Sequence, residues 1–131
     1  MDAKIFKAYD IRGKYPTQVN EKVAEAIARA YVKFAKPKLV VLGRDVRLSG
    51  PKLLQGVRRG LLENGVNVID TGIVPVDAFY FAVNFFSADG GIFISASHNP
   101  REWNGFNLAR RGAEPISSES GLKEIYAFTQ T

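Results

Sequence analysis

The stretch KLVVLG, Lys38–Gly43, decides how the chain reads. It is too short for a buried helix and too uniformly apolar for a strand with one wet face. It describes a strand covered on both sides, as in parallel sheets. Before it, Val23, Ile27, Ala30, Tyr31 and Phe34 recur at helical spacing, with Asn20 as N-cap and Pro37 just past the end. After it, the polar loop RDVRLSG leads into a second helix. Ser49 caps that helix and Pro51 sits in its first turn. Leu53, Leu54, Val57, Leu61 and Leu62 form its buried face, and Gly65 takes the C′ position.

The same rhythm continues in both directions. Downstream, VNVID is a strand, TGIVP a loop, and Val76 to Phe86 a helix so apolar all round that heavy burial is expected. GGIFIS is the next strand, and NGFNLA a further strand turning back. SSESGLKEIYAF is a last helix capped by Ser117 or Ser118. Upstream, Lys4–Ala8 is short and extended, and YDIRGKYP is a loop broken by Gly13 and Pro16. Strands alternating with helices at intervals of about thirty residues imply right-handed βαβ units. The fold class is α/β, a three-layer α/β/α sandwich with a mostly parallel (mixed) sheet. No repeat, linker or low-complexity segment divides it.

Composition narrows the function. With 131 residues, 46% apolar and 24% charged, the chain can bury a core, and neither disorder nor a fibrous class is indicated. The net charge of +5 is scattered, and no basic stripe interleaves with aromatics, so nucleic-acid binding is unsupported. The absence of cysteine excludes disulfides, thiolate metal sites and a cysteine nucleophile. No apolar stretch approaches a membrane span and no leader is visible, so no membrane role is expected and a cytoplasmic protein is the expectation.

Three polar clusters, YDIRG, GRDVRLSG and SASHNP, adjoin strands at what should be one carboxyl rim, where open α/β sheets bind ligands. That brings Arg12, Arg44, Arg47, Ser97 and His98 to a common mouth. Guanidinium forks there suit phosphate or carboxylate, although Asp10–Arg12 and Arg44–Asp45 could equally be local ion pairs pinning loops. Ser97 follows a strand in a turn that Pro100 stiffens, which suits covalent chemistry as well as a simple turn serine. The patterns G-x-S-x-G, G-x-G-x-x-G and the P-loop are all absent.

The motifs KAYDIRG, GRDVRLSG, GIFISASHNP and NGF, in that order and spacing over essentially the whole chain (residues 1–131), resemble the first domain of the α-D-phosphohexomutases, the phosphomannomutase and phosphoglucomutase group. The resemblance implies that Ser97 carries a phosphoryl group. That group passes to a hexose phosphate to give a bisphosphate, and the sugar's other phosphate then returns, exchanging the 1- and 6-phosphates. It implies Mg²⁺ on the Ser97 phosphate, held otherwise by an aspartate-rich loop of another domain. Tyr9 and Arg12 match substrate-side residues, Arg47 joins them as a substrate-binding candidate, and His98 matches a catalytic residue flanking the serine. The resemblance further implies that the remaining mutase domains are the partners of this one. The isolated chain is accordingly expected to be inactive, to lack a tight Mg²⁺ site, and to expose an apolar face that could self-associate, with Phe85, Phe86 and Ile125/Phe128 as candidates. One departure stands out: the family pattern NGFK reads NGFN here, placing Asn107 where a lysine implicated in proton transfer is expected. That departure favours an alternative, a non-catalytic module of the same fold that binds a phospho-ligand or a partner domain.

Overall fold

A computed structural model describes all residues, Met1–Thr131. After a short 3-10 turn at Ala3–Ile5, the elements are β1 (Ile11–Lys14), α1 (Glu21–Ala35), β2 (Leu39–Arg44), α2 (Gly50–Leu62), β3 (Asn67–Ile73), α3 (Val76–Phe85), β4 (Gly90–Ile94), β5 (Trp103–Arg110), β6 (Glu114–Pro115) and α4 (Lys123–Thr129). The sheet runs β1-β5-β4-β2-β3, with β6 on the far end of β5. β2 pairs in parallel with β3 and β4, whereas β5 is antiparallel to β4, β1 and β6. Only β5 therefore opposes the common direction, and the mixed α/β sandwich expected from the sequence is the fold.

The β2 sequence explains the layering. Val40 and Leu42 point to one face and Val41 to the other, and on β4 Ile92 and Ile94 oppose Phe93 in the same way. The first face carries the main core under α1, α2 and α4. The second carries a small core built from Phe79, Ala82 and Val83 of α3. β3 lies on one side of β2 and β4 on the other, so crossovers of one hand put α2 and α3 on opposite faces, as observed.

Several local expectations change. YDIRGKYP is not all loop: Ile11–Lys14 forms β1, because β5 offers it an antiparallel ladder from Trp103 to Phe106. Lys4–Ala8 is not extended but begins in the 3-10 turn, with Phe6 bridging to Ile11. β3 continues through TGI into the expected loop. α3 is far less buried than its composition suggests: Phe81 is 66% exposed and Phe85 67%, because nothing covers its outer side. Leu62, 51% exposed, is likewise off the buried face of α2. Ser49 does take the N-cap position of α2, yet its side chain caps nothing. Its hydroxyl instead accepts a 2.7 Å hydrogen bond from Asn104 Nδ2. Ser117 does cap the last helical segment, in a reciprocal pairing with Ser120.

Candidate active site

β4 and β5 are joined by the loop Ser95–Glu102, whose centre is Ser97. Ser97 is exposed, with φ +56°, in the left-handed region that few non-glycine residues occupy. Its amide donates to Ser95 Oγ at 3.0 Å, and Asn99 N–H returns to the Ala96 carbonyl at 3.1 Å, closing a tight turn. A strained, solvent-facing hydroxyl persists only if the surrounding structure holds it.

Two arginines do so. Arg12 reaches the loop because β1 overshoots β4. Ile11 is level with Phe106 and hence with Ile94, the last residue of β4, so Arg12 lies one step beyond that edge. Its Nη1 donates to Asn99 Oδ1 at 2.7 Å. Its Nε lies 3.3 Å from Asp10 Oδ1 but is not aligned on that oxygen, so the Asp10–Arg12 pair is Coulombic rather than hydrogen-bonded. Burial pushes the Asp10 carboxyl above the usual range, and Arg12 and Lys7 only partly oppose this.

Arg47, in the loop after β2, is bound more fully. Its Nε meets Asp45 Oδ2 at 3.3 Å, and its Nη atoms donate to the carbonyls of Ser97, Asn99, Pro100 and Trp103 at 2.7–3.0 Å. Asp45 thus pairs with Arg47 and not with Arg44. Arg44 stands at the end of β2 and makes only a long 3.4 Å contact with the Asp45 carbonyl.

A cleft of about 500 Å³ opens beside this loop. Ser97, His98, Asp10, Asp45 and Asn107 line it together with Val74–Val76 and Tyr80. Ser97, His98, Arg12 and Arg47 therefore gather at one rim. Tyr9 is 79% exposed, makes no hydrogen bond to the others and does not line the cleft. The residue unforeseen from sequence is Asn99, which receives Arg12 on its side chain and Arg47 on its carbonyl. A larger hollow of about 620 Å³ lies between the end of α1 and α4. It has only Lys33, Lys36 and Glu124 as charged groups and no nucleophile placed for chemistry.

Residues 3–131 match the family model described as phosphoglucomutase/phosphomannomutase, alpha/beta/alpha domain I. The chain belongs to the phosphoglucomutase/phosphomannomutase family. It is 48% identical over 125 residues to a phosphomannomutase of Escherichia coli strain K12, covering 95% of this chain and 27% of that protein. A phosphomannomutase of Klebsiella pneumoniae is 46% identical, with 95% of this chain and 80% of that protein covered. A crystal structure of a phosphoglucomutase/phosphomannomutase family protein from Burkholderia thailandensis superposes with TM-score 0.90 at 35% identity, covering 99% of this chain and 30% of that one. The chain thus spans about 27–28% of the length of the first relatives it matches. No helix is long and apolar enough to cross a membrane.

Proposed function

We propose that this domain supplies the phosphoryl-carrying hydroxyl of a hexose-phosphate mutase, and that the carrier is Ser97. The observation that supports this most is the serine's own posture: it is exposed and left-handed, in a loop pinned by Arg12 and Arg47 at the wall of an open cleft. In the first half-reaction the bond from phosphorus to Ser97 Oγ breaks as a bond to a sugar hydroxyl forms; in the second, the bond from phosphorus to the sugar's other oxygen breaks as a bond to Ser97 Oγ re-forms. The hydroxyl proton leaves to a neighbouring base, and reversal at the other sugar position returns the phosphoryl group. The net result exchanges hexose 1-phosphate and 6-phosphate. Such transfer depends on positioning and charge neutralisation more than on covalent chemistry. Arg12 contributes cationic charge at the rim. We assign the taking and returning of the proton to His98, which lines the cleft beside Ser97. Asn107 lines the cleft too but has no titratable group.

The Mg²⁺ that the family implies does not fit a cage of this chain's own. No three carboxylate or imidazole groups stand close enough to hold a metal ion, and Asp10 and Asp45 each face an arginine. The isolated chain is therefore expected to show no mutase turnover. The remaining mutase domains are the partners this reading requires.

Intact-mass measurement of the native protein tests it: a phosphate on the chain, lost in Ser97→Ala, is expected. An unphosphorylated Ser97, together with a full-length enzyme that keeps full mutase activity when it carries Ser97→Ala, would sink it. The alternative, a non-catalytic module that binds a phosphorylated ligand, is favoured by one observation, the neutral Asn107 on the cleft wall. On the mutase reading, Asn107→Lys in the full-length enzyme raises turnover; on the alternative it changes only ligand affinity.

A further inference from the structure

We propose that Arg47 is a positioning residue that sets the direction of the serine loop's backbone amides, so that an anion on Ser97 meets N–H donors rather than carbonyls. This rests on the reading of Ser97 as the phosphoryl carrier and assigns Arg47 a role away from substrate. Arg47 has five N–H donors, and all five are committed inside the protein: one to Asp45 and four to loop carbonyls. Its side chain is only 12% exposed. A guanidinium so occupied has nothing left for a sugar phosphate.

What it does instead follows from peptide geometry. In a planar trans peptide the C=O and the following N–H point opposite ways. Drawing the Ser97 and Pro100 carbonyls onto Arg47 therefore turns the amides of His98 and Arg101 the other way. Neither amide has an acceptor within the chain. The loop thus presents two free donors on the side opposite Arg47 and turns the negative ends of four peptide dipoles onto a mostly covered cation. A phosphoserine carries about −1.5 to −2 charges. Backbone amides turned outward are the donors from which anion-binding concavities are built; here they stand at His98 and Arg101, since Asn99 N–H turns back to Ala96 and Pro100 has none. Lysine could keep the charge at position 47 but could not span four carbonyls.

The test installs phosphoserine at position 97 during synthesis of the 131-residue chain and compares amide NMR spectra with those of the unmodified chain. In the wild type, the His98 and Arg101 amide protons are expected to move downfield on phosphorylation. In Arg47→Lys, which preserves charge, that movement is expected to be lost. Trypsin cleavage after Arg101 is expected to quicken roughly tenfold in the same variant, the factor for losing one net hydrogen bond. Arg47→Ala should behave like Arg47→Lys; where the alanine chain fails to fold, the lysine variant decides. Amides that stay put in the wild type overturn the proposal, as do amides that still move in a folded Arg47→Lys chain. Because the phosphate is installed synthetically, this result does not depend on mutase turnover. Loss of activity in Ser97→Ala tests the mutase reading, and the amide shifts test the role of Arg47.

Discussion

Gly105 governs how near β1 lies to β5. A Cβ built there would stand 2.1 Å from the Ile11 carbonyl oxygen and 2.8 Å from Arg12 Cα, both backbone atoms that cannot yield cheaply. Gly105→Ala is therefore expected to cost about 1–3 kcal/mol, read as a lower urea midpoint, and to pull Arg12 off Asn99. Asp89 is a second such residue. Its carboxylate accepts the amides of Lys38 at 2.8 Å and Leu39 at 3.0 Å and pairs with Arg111. The Lys38 amide above all, with the Leu39 amide and Arg111 behind it, holds this carboxyl below its usual range against an opposing push from burial. The stabilisation is complete above the unfolded value of about 4 and is lost as pH falls through the lower folded value. Asp89→Ala should cost about 1–2 kcal/mol at neutral pH, and urea titrations should show the gap to wild type closing below about pH 4. Little of this was legible in the sequence. That Asp45 pairs with Arg47 and not with the adjacent Arg44 depends on where a loop turns. Residue spacing carries no record of that. The left-handed backbone of Ser97 had no signal either, since a glycine would ordinarily announce it.

Among the elements, α1 and α2 were the easiest to foresee, because each carries a full stripe of apolar residues at helical spacing. Their closeness depends on two glycines. A Cβ at Gly60 would meet Ala28 Cβ at 2.7 Å and the Glu25 carbonyl oxygen at 2.8 Å. On an exposed helix Gly→Ala would help by up to about 1 kcal/mol. Here Gly60→Ala is expected to destabilise by about 1–3 kcal/mol, seen in thermal melts, because α2 must back away from α1. β1 and the burial of α3 escape the sequence for opposite reasons. IRGK has too little apolar pattern to declare a strand, and its partner lies some ninety residues further along the chain. Val76–Phe85 has too much apolar character to reveal that only Phe79, Ala82 and Val83 are covered.

For the molecule as a whole, the α/β sandwich was legible in the alternation of strands and helices, and the gathering of polar clusters at one rim in the rule that such sheets bind ligands beyond their carboxyl ends; the strand order itself was not. Nor was the outer side of α3. Phe81 and Phe85 stack at 5.7 Å between ring centroids, and Phe85 meets Phe86 edge-on, all three exposed. An aromatic patch of this kind favours association. The chain should therefore show concentration-dependent sedimentation, and Phe81→Ser with Phe85→Ser should abolish it without lowering the melting temperature. The C-terminal face named with these residues is less open: Ile125 is buried and Phe128 is 37% exposed.

The position of the serine loop in this sheet has a consequence for any partner molecule. Its two legs, β4 and β5, are interior strands, each bonded to a neighbour on either side. An attachment point anchored in that way can swivel its hydroxyl but cannot travel. If Ser97 carries the phosphoryl group as proposed, a sugar that meets it at two different positions has to do the turning itself.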